Sequence, residues 1–288
     1  MDNVSTAILA IALIIIMLGM GLSLLLEDFK RIIKFPKAVF IGLVNQLVLL
    51  PLLGFVLARS LSLPPEIAVG IMILAACPGG PTSNLITLLA KGDIALSVTL
   101  TAVSSLITIF TIPFVVNFAL LHFNNNEIPL QLDIPKTIAQ ILIITVIPVS
   151  IGMLIRKRNE KFAIKMEKPV RKASAIVIVL VILGIVLKEK DNFLSYFQQA
   201  GIAAFLLNIG SMAIGFISSK LFKISDKQAI SISIESGIQN GTLAITIAVV
   251  LLGTASFAIA PAVYSLIMFF TGGAAIFWGS QRKIKDKI

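Results

Sequence analysis

Charge is scarce in this sequence. Only 13% of its 288 residues are Asp, Glu, Lys or Arg, against roughly a quarter in a soluble globular domain. Histidine and tryptophan occur once each and tyrosine twice. The single His122 lies at the end of an apolar run, which leaves no basis for a histidine zinc site or a Ser-His relay. No Asp lies deep within an apolar run, so an aspartyl dyad is also excluded, and the expectation is that the chain is not an enzyme. The lone Cys77 rules out an internal disulfide framework. Pro/Ser-rich linkers and low-complexity tracts are missing as well, so the chain reads as one domain, 1–288.

Apolar sequence fills the space instead: 57% of residues are hydrophobic and the mean hydropathy is +1.01. Most apolar runs reach the roughly 20 residues that span about 30 Å of hydrocarbon. Hydropathy and chain breakers predict nine membrane spans, near 5–26, 37–58, 66–90, 93–121, 134–155, 173–187, 195–219, 228–252 and 254–280. The first run is read as a helix and not as a signal peptide. Leu24, Leu25 and Leu26 carry it past the small residues at Gly21-Leu22-Ser23, and its basic residues follow the run where a signal peptide has them first.

The basic residues give an orientation. With the N-terminus outside and nine spans, only Arg59, Lys136, Lys188 and Lys190 fall outside, and the other 20 of the 24 Lys and Arg fall inside. That asymmetry is what the positive-inside rule requires. The net charge of +10 therefore reflects loops and not a face for nucleic acid. The longest polar connections are Asn124–Lys136 outside and Arg156–Lys172 inside, the second expected to lie on the inner surface against anionic membrane lipid. The expected location is an inner (plasma) membrane of bacterial type, with the C-terminus cytoplasmic.

One acid is out of place. Thirteen of the 14 Asp and Glu lie in loops, at chain ends or at span ends, but Glu235 lies about seven residues into the eighth run, roughly 10 Å deep. A charge there costs on the order of 2.5–3.5 kcal/mol on insertion scales. Its segment, Glu235-Ser236-Gly237-Ile238-Gln239-Asn240-Gly241-Thr242, holds two glycines and five polar side chains, a composition expected to unwind. A second interruption, Cys77-Pro78-Gly79-Gly80-Pro81-Thr82-Ser83-Asn84, breaks the third run. Two broken spans of opposite direction in the two halves predict an inverted-repeat transporter. Each break puts a half-helix N-terminus near mid-membrane, suited to an anion, and frees carbonyls suited to a cation.

Hard cations such as sodium take oxygen ligands. Ser97 and Thr101 are four apart on one face of the fourth span, continued by Ser104 and Ser105. Asn45 and Gln46 lie midway along the second span. Singly, each of these side chains is equally a structural hydrogen-bonding group; with Glu235 and the two breaks they form a candidate site.

These segments resemble the bile acid:sodium symporter family, in its bacterial, nine-helix form. The resemblance is carried by Cys77-Pro78-Gly79-Gly80, Ser83-Asn84, Lys91-Gly92-Asp93, Leu96-Ser97, and Glu235 with Gly237, Gln239, Asn240 and Gly241. It implies an all-α integral membrane protein with a panel domain (about 5–26 and 134–187), a core domain (about 37–121 and 195–280) and two broken, crossing helices. It further implies two Na+ sites. One would use Ser83, Asn84, Ser97, Thr101 and Glu235; the other would use Gln46, Glu235, Gln239 and the backbone carbonyls of Ser236 and Ile238. Asn240 would face the substrate cavity. The sequence departs from the family at Ser236, where Val is more usual, and at Pro81-Thr82, which replaces Thr-Ala on the substrate side of the break. The extra first helix of ten-helix relatives is not expected.

The resulting expectation is a sodium-coupled symporter importing a small organic anion, a carboxylate, by alternating access. The alternative on the same architecture is a proton-coupled carrier or exporter similar to the arsenite exporters, which use a membrane Cys and Glu.

Overall fold

Residues 3–123, 131–188 and 193–281 are described in a computed structural model. Among them the chain is almost wholly helical, the expected form for apolar runs whose backbone has no water to pair with. The helices are α1 (Asn3–Gly21), α2 (Leu26–Lys30), α3 (Pro36–Val44), α4 (Leu50–Ser60), α5 (Pro65–Ala76), α6 (Pro81–Leu89) and α7 (Ile94–Phe123). They continue with α8 (Ile134–Ile141), α9 (Ile147–Arg158), α10 (Glu160–Lys188), α11 (Phe193–Leu221), α12 (Asp226–Gly237), α13 (Gly241–Thr246) and α14 (Ile259–Gln281). Wide π turns at Asn45–Leu49 and Leu142–Val146 join α3 to α4 and α8 to α9, and a third, Ile247–Leu251, extends α13.

Five continuous stretches are long and apolar enough to cross a membrane: Pro36–Ser60, Ile94–Phe123, Ile134–Arg158, Phe197–Leu221 and Ala255–Gln281. A sixth candidate bends by 73° between Ala10–Gly21 and Leu26–Ile33. That bend corrects the expectation of a first span running to residue 26. The helix stops at Gly21, and Leu22 and Leu24 are buried in a corner. Hydrogen bonding holds the corner: Leu25 N–H donates to Asp28 Oδ2 (2.7 Å), Thr99 Oγ1 to Asp28 O (2.9 Å) and Arg156 Nη1 to Leu22 O (3.0 Å). Arg31 pairs with Asp28 at 2.7 Å.

The Arg156–Lys172 connection also differs from expectation. Only Asn159 separates α9 from α10, and residues 160–172 are helical, continuous with the rest of α10 through Pro169. The helix-breaking signal of one proline is outweighed by the good helix formers around it. Lys190 and the basic residues from Arg282 onward, counted in the orientation, lie outside the described residues, as does 124–130 of the other long connection.

Packing puts α1 against α9 and α10, while α5 packs on α4, α7 and α14, and α11 packs on α12 and α14. Where α1 meets α9 the backbones nearly touch: a Cβ on Gly152 would lie 2.3 Å from Leu18 O. Small residues at such contacts substitute for the hydrophobic drive that lipid does not supply.

Candidate functional site

The third and eighth apolar runs are each two helices. α5 ends at Ala76 and α6 begins at Pro81, which has no N–H to offer and favours a helix start. α12 ends at Gly237 and α13 begins at Gly241 after three non-helical residues, Ile238, Gln239 and Asn240. The predicted unwinding is therefore shorter than the polar segment, and Glu235 sits on the last turn of α12. The breaks meet: Gly80 N–H donates to Ile238 O (3.1 Å) and Asn240 N–H to Pro78 O (2.9 Å), an antiparallel bridge centred on Gly79 and Gln239. Four helix ends converge there, the C-termini of α5 and α12 and the N-termini of α6 and α13.

Glu235 is 1% exposed. Its Oε1 lies 2.5 Å from Ser83 Oγ on α6, 2.5 Å from Ser97 Oγ on α7 and 3.0 Å from Thr101 Oγ1. Ser97 Oγ is also 2.9 Å from Asn84 Oδ1, and Thr101 Oγ1 is 3.4 Å from it. Five side chains predicted to act together are thus in one place. Their protons are too few for their contacts. Each hydroxyl has one hydrogen, yet Ser83 faces both Glu235 and Gly80 O at 2.7 Å, and Thr101 faces both carboxylate oxygens, Asn84 and Ser97 O. Lone pairs in excess of protons are what a hard cation satisfies.

Oε2 faces differently. Besides Thr101 at 3.0 Å, it lies under Gly79, where an added Cβ would stand 2.4 Å from it and 3.4 Å from Gln46 Nε2. On this side Gln46, carried on the π turn of the second span, donates to Gln239 Oε1 (3.2 Å), and Gln239 Nε2 donates to the carbonyls of Ser236 (2.8 Å) and Glu235 (3.3 Å). Gln46 Oε1 is buried with no partner among the described residues, an omission that ordinarily costs about 1–3 kcal/mol. Of the carbonyls the resemblance implied, Ser236 O meets the Gln239 amide and Ile238 O meets Gly80 N–H. Asn45 turns the other way, to Ile41 O and Ser218 Oγ, both at 2.9 Å. Ser104 and Ser105 bond to Thr101 O.

Beside the crossing, a narrow cavity of about 80 Å³ opens between α1, α9 and α7, with Met17, Met20, Ala102, Ser105, Thr145 and Asn240 in its wall. Asn240 also caps α13, accepting from Leu243 N–H at 3.1 Å. No charged side chain is in this wall among the described residues. Pro81 and Thr82 begin α6, partly buried, and do not line this cavity. Cys77 is fully buried and does not line it either.

Sequence reasoning missed Asn208 and Tyr264. Asn208 Nδ2 and Tyr264 Oη each donate to Gly237 O at 2.7 Å. The signal was present: a lone amide deep in the seventh run, and one of only two tyrosines in the chain.

Apolar helices with their polar side chains gathered at an interior crossing define an integral membrane transporter. This chain belongs to the sodium bile acid symporter family, whose pattern it matches over residues 10–196. It is 33% identical over 279 residues to the uncharacterized sodium-dependent transporter YocS of Bacillus subtilis, covering 95% of this chain and 83% of that one. It is 30% identical over 239 residues to a probable chloroplastic sodium/metabolite cotransporter of Arabidopsis thaliana, covering 83% of this chain and 58% of the plant protein. It is 28% identical over 246 residues to the human ileal sodium/bile acid cotransporter, covering 85% and 69%. The chain therefore spans less than two thirds of the plant relative. These relatives are named as sodium-dependent transporters or sodium cotransporters, and this chain is a membrane protein of their family.

Proposed function

We propose that this protein is a symporter that couples inward sodium movement to the uptake of a small organic anion, a carboxylate, by alternating access. The observation that carries the reading is the carboxylate of Glu235, buried on the last turn of a broken helix and ringed by more oxygens than their hydrogens can serve. One sodium ion would sit among Ser83, Asn84, Ser97, Thr101 and Glu235. A second would sit on the Gln46 and Gln239 side, drawing on Glu235 and the carbonyls of Ser236 and Ile238. The orphaned Gln46 Oε1 supports that assignment.

The anion would bind in the cavity beside Asn240, near the N-termini of α6 and α13, with Pro81 and Thr82 at the entrance to the break. Among the described residues the wall offers no cationic side chain, so helix ends and bound sodium would supply the positive potential. α1 and α8–α10 would form the panel, and α3–α7 with α11–α14 the core that rocks against it. The N-terminus would lie outside and the C-terminus in the cytoplasm of a bacterial plasma membrane.

Two sodium ions with one monovalent anion carry one net positive charge inward, so a membrane potential adds about 2.3 kcal/mol per 100 mV to the driving force. The deciding measurement is uptake into proteoliposomes across a panel of radiolabelled carboxylates, at fixed pH, with sodium or potassium outside. Saturable accumulation that needs sodium and is accelerated by an inside-negative potential is expected. Accumulation that follows a pH gradient and ignores sodium would replace this reading with the proton-coupled one.

A further inference from the structure

The end of α12 leaves a run of carbonyls whose partners can be traced one by one. Ile234 O takes Ile238 N–H (2.8 Å), and Glu235 O and Ser236 O share the single side-chain amide of Gln239. Ile238 O takes Gly80 N–H across the crossing, and Gln239 O takes Gly241 N–H (3.0 Å). Gly237 O is treated differently. It receives two short hydrogen bonds at 2.7 Å from outside the broken span, Asn208 Nδ2 on α11 and Tyr264 Oη on α14. Both donors are 0% exposed, and Asn208 Oδ1 has no partner among the described residues, so this amide is committed through its N–H.

The residue pinned in this way is the one least able to hold its own conformation, because glycine accepts almost any backbone angle. The side chain of Met212 packs directly on it: a Cβ there would stand 2.2 Å from Met212 Cγ and would require that side chain to shift. The two donors thus supply the rigidity that the glycine withholds. With Gly237 O fixed to α11 and α14, the neighbouring carbonyls of Glu235 and Ser236 are held toward Gln239, whose one amide can let them go. We infer that Asn208 and Tyr264 are positioning residues: by clamping Gly237 O they select which carbonyls of the break remain free to meet a cation on the Gln46 side of Glu235. The inference rests on the sodium-coupled reading above, and neither residue touches the ion.

The test needs no transported anion. Purified protein in detergent is titrated with NaCl at constant total salt, with KCl making up the balance, and the thermal unfolding midpoint is followed. The wild type is expected to rise with sodium. Tyr264→Phe and Asn208→Asp should each raise the half-saturating sodium concentration by about five- to twentyfold, the loss of one hydrogen bond to a constrained group. Ser219→Ala, which removes a buried bond to Gly215 O on the same helix and touches neither Asn208 nor Tyr264, should lower the midpoint at all sodium concentrations and leave half-saturation in place. Variants that lose stability uniformly, with wild-type half-saturation, would reduce the pair to ordinary packing and overturn the inference while the sodium reading stands. A wild type that responds equally to sodium and potassium would instead sink that reading, and the positioning role with it. Either substitution alone suffices if the other does not fold.

Discussion

The two oxygens of one carboxylate see unlike surroundings. Around Oε1 the partners are three hydroxyls on short side chains, each rooted in α6 or α7, with little freedom to rearrange. Oε2 shares Thr101 with Oε1 and otherwise faces Gly79 on the side of two long amides, Gln46 and Gln239, which presently bond to each other and to backbone. The first cluster is assembled in advance, whereas the second must trade existing hydrogen bonds for an ion. A pre-organised site binds with less reorganisation, so the hydroxyl side should be the tighter and the amide side the one whose filling is linked to conformational change.

That contrast can be broken by mutation. Glu235→Gln removes the charge both sides share and should reduce sodium-dependent uptake by more than about 100-fold, as expected for stripping one partner from a buried charge arrangement. Uptake assays alongside a size-exclusion profile check it, and full coupled activity in a well-inserted variant would refute the shared role. Gly79→Ala forces a methyl to 2.4 Å from Oε2; the loss should approach that of Glu235→Gln, since the carboxylate must turn away.

Thr101→Ala and Gln46→Ala then rank the two sides. The first should raise half-saturating sodium by about tenfold or more, the second by about three- to tenfold with a shallower sodium dependence, using about 1.5–3 kcal/mol for a bond to a charged group and about 1 kcal/mol for a neutral one. Sodium titrations of transport give both numbers, and the reverse order would overturn the comparison. Asn240→Ala should act least on the ions. Its expected effect is a several-fold weaker anion affinity, about 1 kcal/mol, at unchanged sodium half-saturation, read from substrate titrations at saturating sodium.

Much of this arrangement was legible beforehand because its signals are local. A lone acid in an apolar run, prolines and glycines clustered in another, and hydroxyls spaced four apart each carry a physical meaning without knowledge of the fold. The parts that escaped are those that local pattern does not encode. Leu22 and Leu24 read as span because hydropathy reports burial and not direction, yet they are buried inside a corner. Residues 160–172 read as a surface connection because their charge dominates the average, whereas the backbone continues as helix. Asn45 and Gln46 are adjacent in sequence and both end in a carboxamide, and the π turn and the neighbouring helices send one to Ser218 and the other to Gln239. Tyr264 lies 27 residues from the carbonyl it holds, and no periodicity announces such a partner.

Where the two breaks cross, they are bridged by peptide groups, Gly80 to Ile238 and Asn240 to Pro78. Every amino acid but proline carries the same donor and acceptor, so drift in side chains leaves the join intact. The bridge itself therefore sets no requirement on side-chain chemistry, unlike the glycines packed around it. A crossing held by such anonymous chemistry can persist while side chains away from it change.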